Sequence, residues 1–568
     1  MVGKRGHKET RAASEGGHSR RSLLKYAAVS TVTASLAGCS GQGGGGEGEG
    51  EGEGTTAGGT EAGGESTEGT SSGSGGGQEV VVAQPVPAQT LDPQDFRGSF
   101  ARQVVLAPYE KLITFDYLGD GSLVPQLASD WSRPEPERVR IQLREGVTWH
   151  NGDEFLPEDA AFTINRVSNP DVDITTRRTL QNVDSAEVVA GENAIDVHLT
   201  AADPIIVHRI ASSGGVVQKS WVEENEQEYV ANNANGTGPY TPVEFSPASH
   251  ATFEMVDDYW DGDVDLDQYP DRLTYQASGE ASTRINQLLA EEAHIIPAVN
   301  PAERPRINDT GFAEAIPALT NRTMWLLMRQ DLEPYSSIEF RKGLNHAVDK
   351  QTLVETVLEG IGQPVHQVTP QSWTGAHPTL NEDPMYPYDP ERAAELIEQS
   401  GHAGVEITLN YNTGRYLKGP EVAQALVGML DSIENISCTG EGWENSAYRD
   451  RIYPGTLEDK LPLTFWGSGS SPPDAATRID RGFVSDSLDD DFAVFHDPEI
   501  DELSAQAANT TDSQQREQYL QEANRLIMEK AACVPLYQQG ALYGVNTDVV
   551  EFEPIPNEEI YWFSMNMV

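Results

Sequence analysis

The residue with the plainest chemistry is Cys39. It follows Leu36-Ala37-Gly38, a small-residue approach to a thiol of the kind that is processed and lipid-modified. Upstream stand the paired arginines of Ser19-Arg20-Arg21-Ser22-Leu23-Leu24-Lys25 and a modestly apolar run over 26–37, too short for the ~20 residues that cross a bilayer as a helix. The two halves together read as an export address. The arginine pair resembles a twin-arginine signal, and 36–39 resembles a lipobox whose cysteine becomes the lipidated first residue of the mature chain. A basic tail with a chance cysteine is the plainer alternative.

Other reactive groupings are weak. The twelve histidines include no His-x-x-x-His pair, and no Cys/His cluster stands at ligand spacing. No nucleophile pattern stands out. Gly236-Thr237-Gly238-Pro239 is not followed by the Gly-Lys-Ser/Thr of a phosphate-cradling loop, so it reads as a turn-rich crossing. The expectation is a chain with no catalytic residue, no metal and no cofactor, hence not an enzyme. Beyond Cys39 there are only Cys438 and Cys533, read as two buried free thiols, with a bond between them as the alternative. Asn235, Asn308 and Asn321 open glycosylation sequons.

The elements that must position any site follow a tether. Residues 40–78 are Gly, Glu, Ser and Thr, unable to form a core and expected to be a flexible leash. The whole chain has 568 residues, enough for several cores, and its formal charge is 39 − 89 = −50. Phosphate binding needs a basic face, so a nucleic-acid partner is excluded. The acid excess runs through many segments and reads as adaptation to strong brine, where screening keeps self-repulsion short-ranged; a halophilic archaeal source is inferred. Val139-Arg140-Ile141-Gln142-Leu143, Ile195-Asp196-Val197-His198-Leu199 and Val405-Glu406-Ile407-Thr408-Leu409 alternate as half-buried strands do. Asp389-Pro390 opens a helix that buries Ala393, Leu396 and Ile397 and stops at Gly401; another carries Phe340, Leu344, Ala347 and Val348; a third starts at Asp512 and buries Tyr519, Leu520, Ala523, Leu526 and Ile527. The mixture predicts an α/β body.

The segment Arg144-Glu145-Gly146-Val147-Thr148-Trp149-His150-Asn151-Gly152, continued by Pro157-Glu158-Asp159-Ala160 and Arg166, resembles the signature of the family-5 solute-binding proteins of ABC importers, the dipeptide, oligopeptide and nickel receptors. Leu127-Ala128-Ser129-Asp130-Trp131, Gly236-Thr237-Gly238-Pro239-Tyr240, Tyr259-Trp260-Asp261-Gly262, Phe340-Arg341-Lys342-Gly343-Leu344-Asn345 and Val534-Pro535-Leu536-Tyr537 follow in the same order. The resemblance implies a two-lobed periplasmic-binding-protein-like fold of class II, of the large three-subdomain type. It places 1–39 as signal, 40–78 as tether, 79–321 as a discontinuous lobe one of two subdomains completed by 536–568, and 322–535 as lobe two.

It also implies a function: an extracytoplasmic, lipid-anchored monomer on the outer face of the cytoplasmic membrane that captures a peptide-like solute by lobe closure and hands it to a permease. An oligosaccharide receptor of the same fold is the alternative; a surface hydrolase or a structural envelope protein is the alternative from another class. The family's ligand loop has a tryptophan and, three positions on, an acid for a peptide ammonium. Here Trp466 matches, Gly469 stands where the acid should be, and Asp474 is the first acid beyond it. The ligand-binding set implied is Trp443, Trp466, Ser468, Asp474, Phe96, Arg97 and Tyr537, with Tyr411 and Trp373 weaker. Arg97 is a cation in a very acidic chain and can meet a ligand carboxylate.

Overall fold

A computed structural model describes residues 78–119, 121–453, 456–469, 473–488 and 491–568. The expected signal, Cys39 and all of the tether but Gln78 lie outside them.

The framework is one eleven-stranded sheet. From one edge it runs Ile436–Trp443, Val405–Asn412, Leu463–Ser468, Ala313–Met328, Cys533–Asn546, Ile295–Ile296, Glu79–Gln84, Arg272–Ala277, His250–Met255 and Tyr240–Ser246, with Gly362–Pro364 paired to Cys533–Asn546 off this path. A separate antiparallel sheet joins Ala128–Glu135, Arg138–Leu143, Ala194–Leu199 and Val183–Val188. Every strand read from alternation is present, and Val405–Asn412 extends three residues beyond its expected end.

The cores divide the sheet into two lobes. Met324 to Met328 and Cys533 to Tyr537 pack with Phe340, Leu344, Leu409 and Ile527 in one cluster. The other ends of the same two strands pack around the far half of the sheet in two clusters, Tyr543 and Val545 with Val80, Val82, Phe253 and Leu273, and Ala315 and Leu542 with Ala83, Ile285 and Ile296. A separate cluster, with Ile141, Val197, Trp149 and Ile164, belongs to the small sheet. At about 1.5–3 kcal/mol per large side chain buried, each cluster is a core in its own right. The result is an α/β body of two lobes, the first in two parts. Both lobes draw on the two crossing strands, Ala313–Met328 and Cys533–Asn546. Their register breaks between Leu319 and Thr323 and again between Met324 and Trp325. There Thr320 Oγ1 donates to the Gln539 carbonyl (2.9 Å) and Gln538 Nε2 to the Thr320 carbonyl (2.8 Å), replacing ladder bonds.

Helix ends follow the side-chain chemistry. Asp389 accepts from the Arg392 amide, Pro390 opens the helix Pro390–Gln399, and Gly401 takes φ +79° after it. Asp512 likewise caps Ser513–Glu529 through the Gln515 amide. The helix expected to carry Ala347 and Val348 ends earlier, at His346, because Asp349 caps a new short helix, Lys350–Thr352; both residues are still buried. Gly236 is scaffold: a Cβ there would sit 1.7 Å from the Pro108 carbonyl oxygen. Its neighbourhood is pinned by His150, whose Nδ1 accepts from the Gly236 amide while Nε2 bonds the Gly238 carbonyl at 2.8 Å. Asn235 is buried against Gln218, so that sequon is not presented.

Candidate functional site

A cavity of about 1800 Å³ opens beside the loop 95–98. The loop is fixed from below. Asp92 forks Arg166 of the helix Pro157–Ser168 at 2.5 and 3.1 Å, both side chains buried. Arg166 also donates to Gln94 Oε1 (2.5 Å), and Gln94 Nε2 donates to the Thr163 carbonyl (3.2 Å). Leu91-Asp92-Pro93-Gln94 is therefore bolted to the helix behind it, and the next residues emerge in a defined direction. Asp95 accepts from the amide and hydroxyl of Thr175 (3.0 and 2.5 Å), closing one wall. Gly98, at φ +83°, turns the chain into the helix Ser99–Val105.

Phe96 and Arg97 line this cavity. Phe96 is half-buried with the Arg102 guanidinium 5.2 Å from its ring centre, and Arg102 pairs with the buried Glu559 at 3.0 Å. Arg97 is exposed into the cavity. The lining also includes Arg177 and, from the lobe-two helix Asn445–Ile452, Arg449, whose guanidinium lies 5.5 Å from the Tyr453 ring centre. None of these three arginine side chains makes a hydrogen bond or ion pair among the described residues. Asp173 and Asp184 also line the space without such partners. Amides and hydroxyls of Gln89, Thr90, Asn165 and Gln181 are among the rest of the polar lining.

The other expected site residues lie elsewhere. Trp466 is 2% exposed, ringed by Tyr416, Tyr448, Tyr453 and Phe492 at 5.5–6.3 Å between ring centres. All of Leu463–Ser468 is buried, because that strand is central in the lobe-two half of the sheet and packed on both faces. Ser468 Oγ accepts from Arg478 Nη1 at 2.7 Å. Asp474 is 1% exposed, and both its oxygens are held by Arg516 at 2.7 and 2.8 Å. Its Oδ1 also accepts from the Ala476 amide, so it anchors two helices rather than offering a free carboxylate. Tyr537 is fully buried on its crossing strand, opposite Met324. Trp443 is half-buried, its Nε1 donating to Asn410 Oδ1 at 2.9 Å. Of the weaker pair, Tyr411 is half-buried and Trp373 is 3% exposed under the Arg478 guanidinium, 4.7 Å from its ring centre. These residues do not line the cavity.

Gly469 is exposed, and the space a side chain would take there is held by the Arg322 guanidinium, whose Nη2 lies 3.2 Å from an ideal Cβ. Arg322 in turn pairs with Glu558 at 2.9 Å. The position expected to hold an acid thus faces a cation. Sequence reading missed Arg177, Arg449, Asp173 and Asp184. No signal in the linear sequence points to them.

Deeper in lobe one, Glu110 accepts from Tyr259 Oη (2.8 Å) and Trp260 Nε1 (2.7 Å). Burial pushes its carboxyl up to about 7 against those bonds. Burial, with Arg102 close by, lowers the neighbouring Lys111 to about 7. Cys438 and Cys533 are both free and buried, as expected. Among the described residues no cluster of metal-ligating side chains and no helix long and apolar enough to cross a membrane occurs.

Comparison with known proteins is consistent across sequence and structure. The model of bacterial extracellular solute-binding proteins, family 5 Middle, matches residues 122–487. A glutathione-binding protein of Pectobacterium atrosepticum is 22% identical over 495 residues, covering 84% of this chain and 92% of its own. HbpA2 of Haemophilus parasuis superposes with a TM-score of 0.75 at 18% identity, over 86% of this chain and all of its own. A dipeptide-binding protein of Pseudoalteromonas, solved with Met-Leu, gives 0.70 at 19%, over 86% of this chain and all of its own. These solved structures share the two-lobed α/β fold.

Proposed function

The chain belongs to the family-5 solute-binding proteins of ABC importers, and from that premise we propose that it is an extracytoplasmic receptor for a peptide-like solute held beside the loop 95–98. Its relatives are receptors rather than enzymes, and binding followed by delivery to a permease is the activity. The observation that carries the reading is the cavity itself: Phe96 and Arg97 of lobe one and Arg449 of lobe two line one space of about 1800 Å³, large enough for several residues of peptide. Named relatives bind glutathione and Met-Leu, both peptides, which supports a peptide-like solute here. The sugar alternative rests on the missing acid at Gly469 and on the tryptophans; Trp466 is enclosed and Trp443 half-buried, which weakens the second of these.

Closure is a hinge motion of lobe two, 322–535, against lobe one, 79–321 with 536–568, about the irregular crossing near 320–322 and 538–539. A ligand touching both walls favours the closed state by its differential affinity. The receptor works as a monomer, tethered through 40–78 to a lipid on Cys39, exported by the twin-arginine route in a halophilic cell. A net charge of −50 supports the last point.

The test is to identify by mass spectrometry what co-purifies with the protein, then to titrate candidates by thermal shift in concentrated KCl. A stabilising shift with short peptides and none with oligosaccharides is expected; the reverse pattern overturns the reading. Loss of membrane association in Cys39→Ser is the expected result for the anchor.

A further inference from the structure

We propose that Asn509 carries an N-linked oligosaccharide added outside the cell; this rests on the extracytoplasmic reading above and on nothing about the ligand. Five Asn-x-Ser/Thr triplets occur, at Asn235, Asn308, Asn321, Asn435 and Asn509. Modification needs the asparagine amide nitrogen and the hydroxyl two positions on to be within reach together. A chain exported already folded meets a transferase only with its folded surface, and the fold withdraws four of the five. Asn235 and Thr237 are buried, and Asn235 Nδ2 donates to Gln218 Oε1 at 2.7 Å. Thr323, third of the Asn321 triplet, is fully buried, and Asn321 Oδ1 accepts from Trp373 Nε1 at 3.2 Å. Asn435 is half-buried at φ +74°, and Ile436 and Ser437 go straight into the ladder with Val405 and Glu406. Asn308 is exposed, but Thr310 Oγ1 donates to the Ile307 carbonyl (2.8 Å) and accepts from the Ala313 amide (3.0 Å), which holds the hydroxyl against its own backbone.

The triplet 509–511 is presented. Asn509 ends the helix Pro498–Asn509, and Thr510 leaves it extended, at φ −102° and ψ 136°. The helix Ser513–Glu529 begins only after its Asp512 cap, so the triplet forms the turn between two helices. Asn509 and Thr511 are both exposed. The Thr511 hydroxyl makes no hydrogen bond among the described residues. Asn509 Nδ2 donates to the Ala505 carbonyl at 2.7 Å, a surface bond in the last turn of a helix, where fraying costs little. In the reaction a bond forms between Asn509 Nδ2 and the anomeric carbon of the first sugar. The bond from that carbon to the phosphate of a lipid-linked oligosaccharide breaks; the lipid phosphate leaves with the electron pair, and the amide gives up one proton. None of 509–511 lines the cavity, so the sugar leaves the ligand space open. Its effect is local cover for an exposed interhelical turn, the kind of place where proteases nick a folded chain.

The test is peptide mapping by mass spectrometry of the full-length protein taken from membranes of its own cells. Trypsin releases 482–516, in which Asn509 is the only asparagine. That peptide should carry a sugar mass on Asn509, and the other four asparagines should be bare. Thr511→Ala should abolish the modification, Thr511→Ser should keep it, and Asn509→Gln should remove it from the other end of the triplet. A bare Asn509, in protein that a membrane-impermeant amine reagent labels on intact cells, overturns the site and leaves the receptor reading standing. Sugar on Asn308 in place of Asn509, or sugar retained in Thr511→Ala, overturns it as well. Protein that the reagent cannot reach on intact cells overturns the extracytoplasmic reading, and the site with it.

Discussion

Replacing Asp474 by Asn separates two roles that the same residue is asked to play. If the carboxylate met a ligand ammonium, the variant would lose affinity and little else. The geometry argues for the opposite. Asp474 and Arg516 are 2% and 10% exposed at their side chains and share two bonds of 2.7 and 2.8 Å. Removing one member of such a pair leaves a buried charge and costs about 3–5 kcal/mol. Asp480 and Asp203 also act on Arg516, so the residual charge is partly compensated and the lower end, about 3 kcal/mol, is expected. Because the pair lies within lobe two, salt does little to soften the loss. Urea unfolding in concentrated KCl should show a clearly lowered midpoint, while peptide affinity, measured well below that midpoint, changes less than about twofold. An unshifted midpoint with tenfold weaker binding would refute the reasoning and return Asp474 to the ligand.

Trp466→Phe should likewise lower stability, by about 1–3 kcal/mol for a smaller ring in a closed aromatic cage, and leave peptide affinity unchanged by titration. Glu110 titrates in the folded protein near 7, above its ordinary 4.5, so the folded state holds the proton more tightly than the unfolded one. The stability that protonated Glu110 supplies is full below about 4.5 and is lost as pH rises towards 7; Glu110→Gln should shrink the difference between urea midpoints at those two pH values. Lys111, lowered to about 7 from 10.5, has the opposite slope between those values, since its proton is bound more tightly when unfolded; Lys111→Met should flatten that alkaline limb. Cys438, pushed up to about 12 by burial, and the fully buried Cys533, raised also by burial, should resist thiol reagents until denaturant is added, and a fast-reacting thiol in native protein would contradict their placement.

The elements were legible where local chemistry decides them. Alternation in Val405–Asn412 and the Asp389-Pro390 opening each name their structure without help from the rest of the chain. Length of the crossing strands was not legible: Cys533–Asn546 runs for fourteen residues, and its far half is stabilised by partners that the fold brings from 295 and 313–319. Of the expected site residues, Phe96 and Arg97 line the cavity; they follow a segment whose Asp92 is matched by Arg166, and the pairing positions them. Trp466 and Asp474 misled because residue type was taken for exposure. A tryptophan on a strand covered on both faces is core, and an aspartate with a distant arginine is an anchor; neither partner is visible in the linear order. Arg449 stands more than 350 positions from Arg97, and only the lobes bring them to one cavity.

The strand Cys533–Asn546 lies in the middle of the large sheet, with the lobe-two half on one side and Ile295–Ile296 of lobe one on the other. Neither half of the framework is complete without it, so a substitution that weakens this one strand should loosen both lobes together rather than one of them.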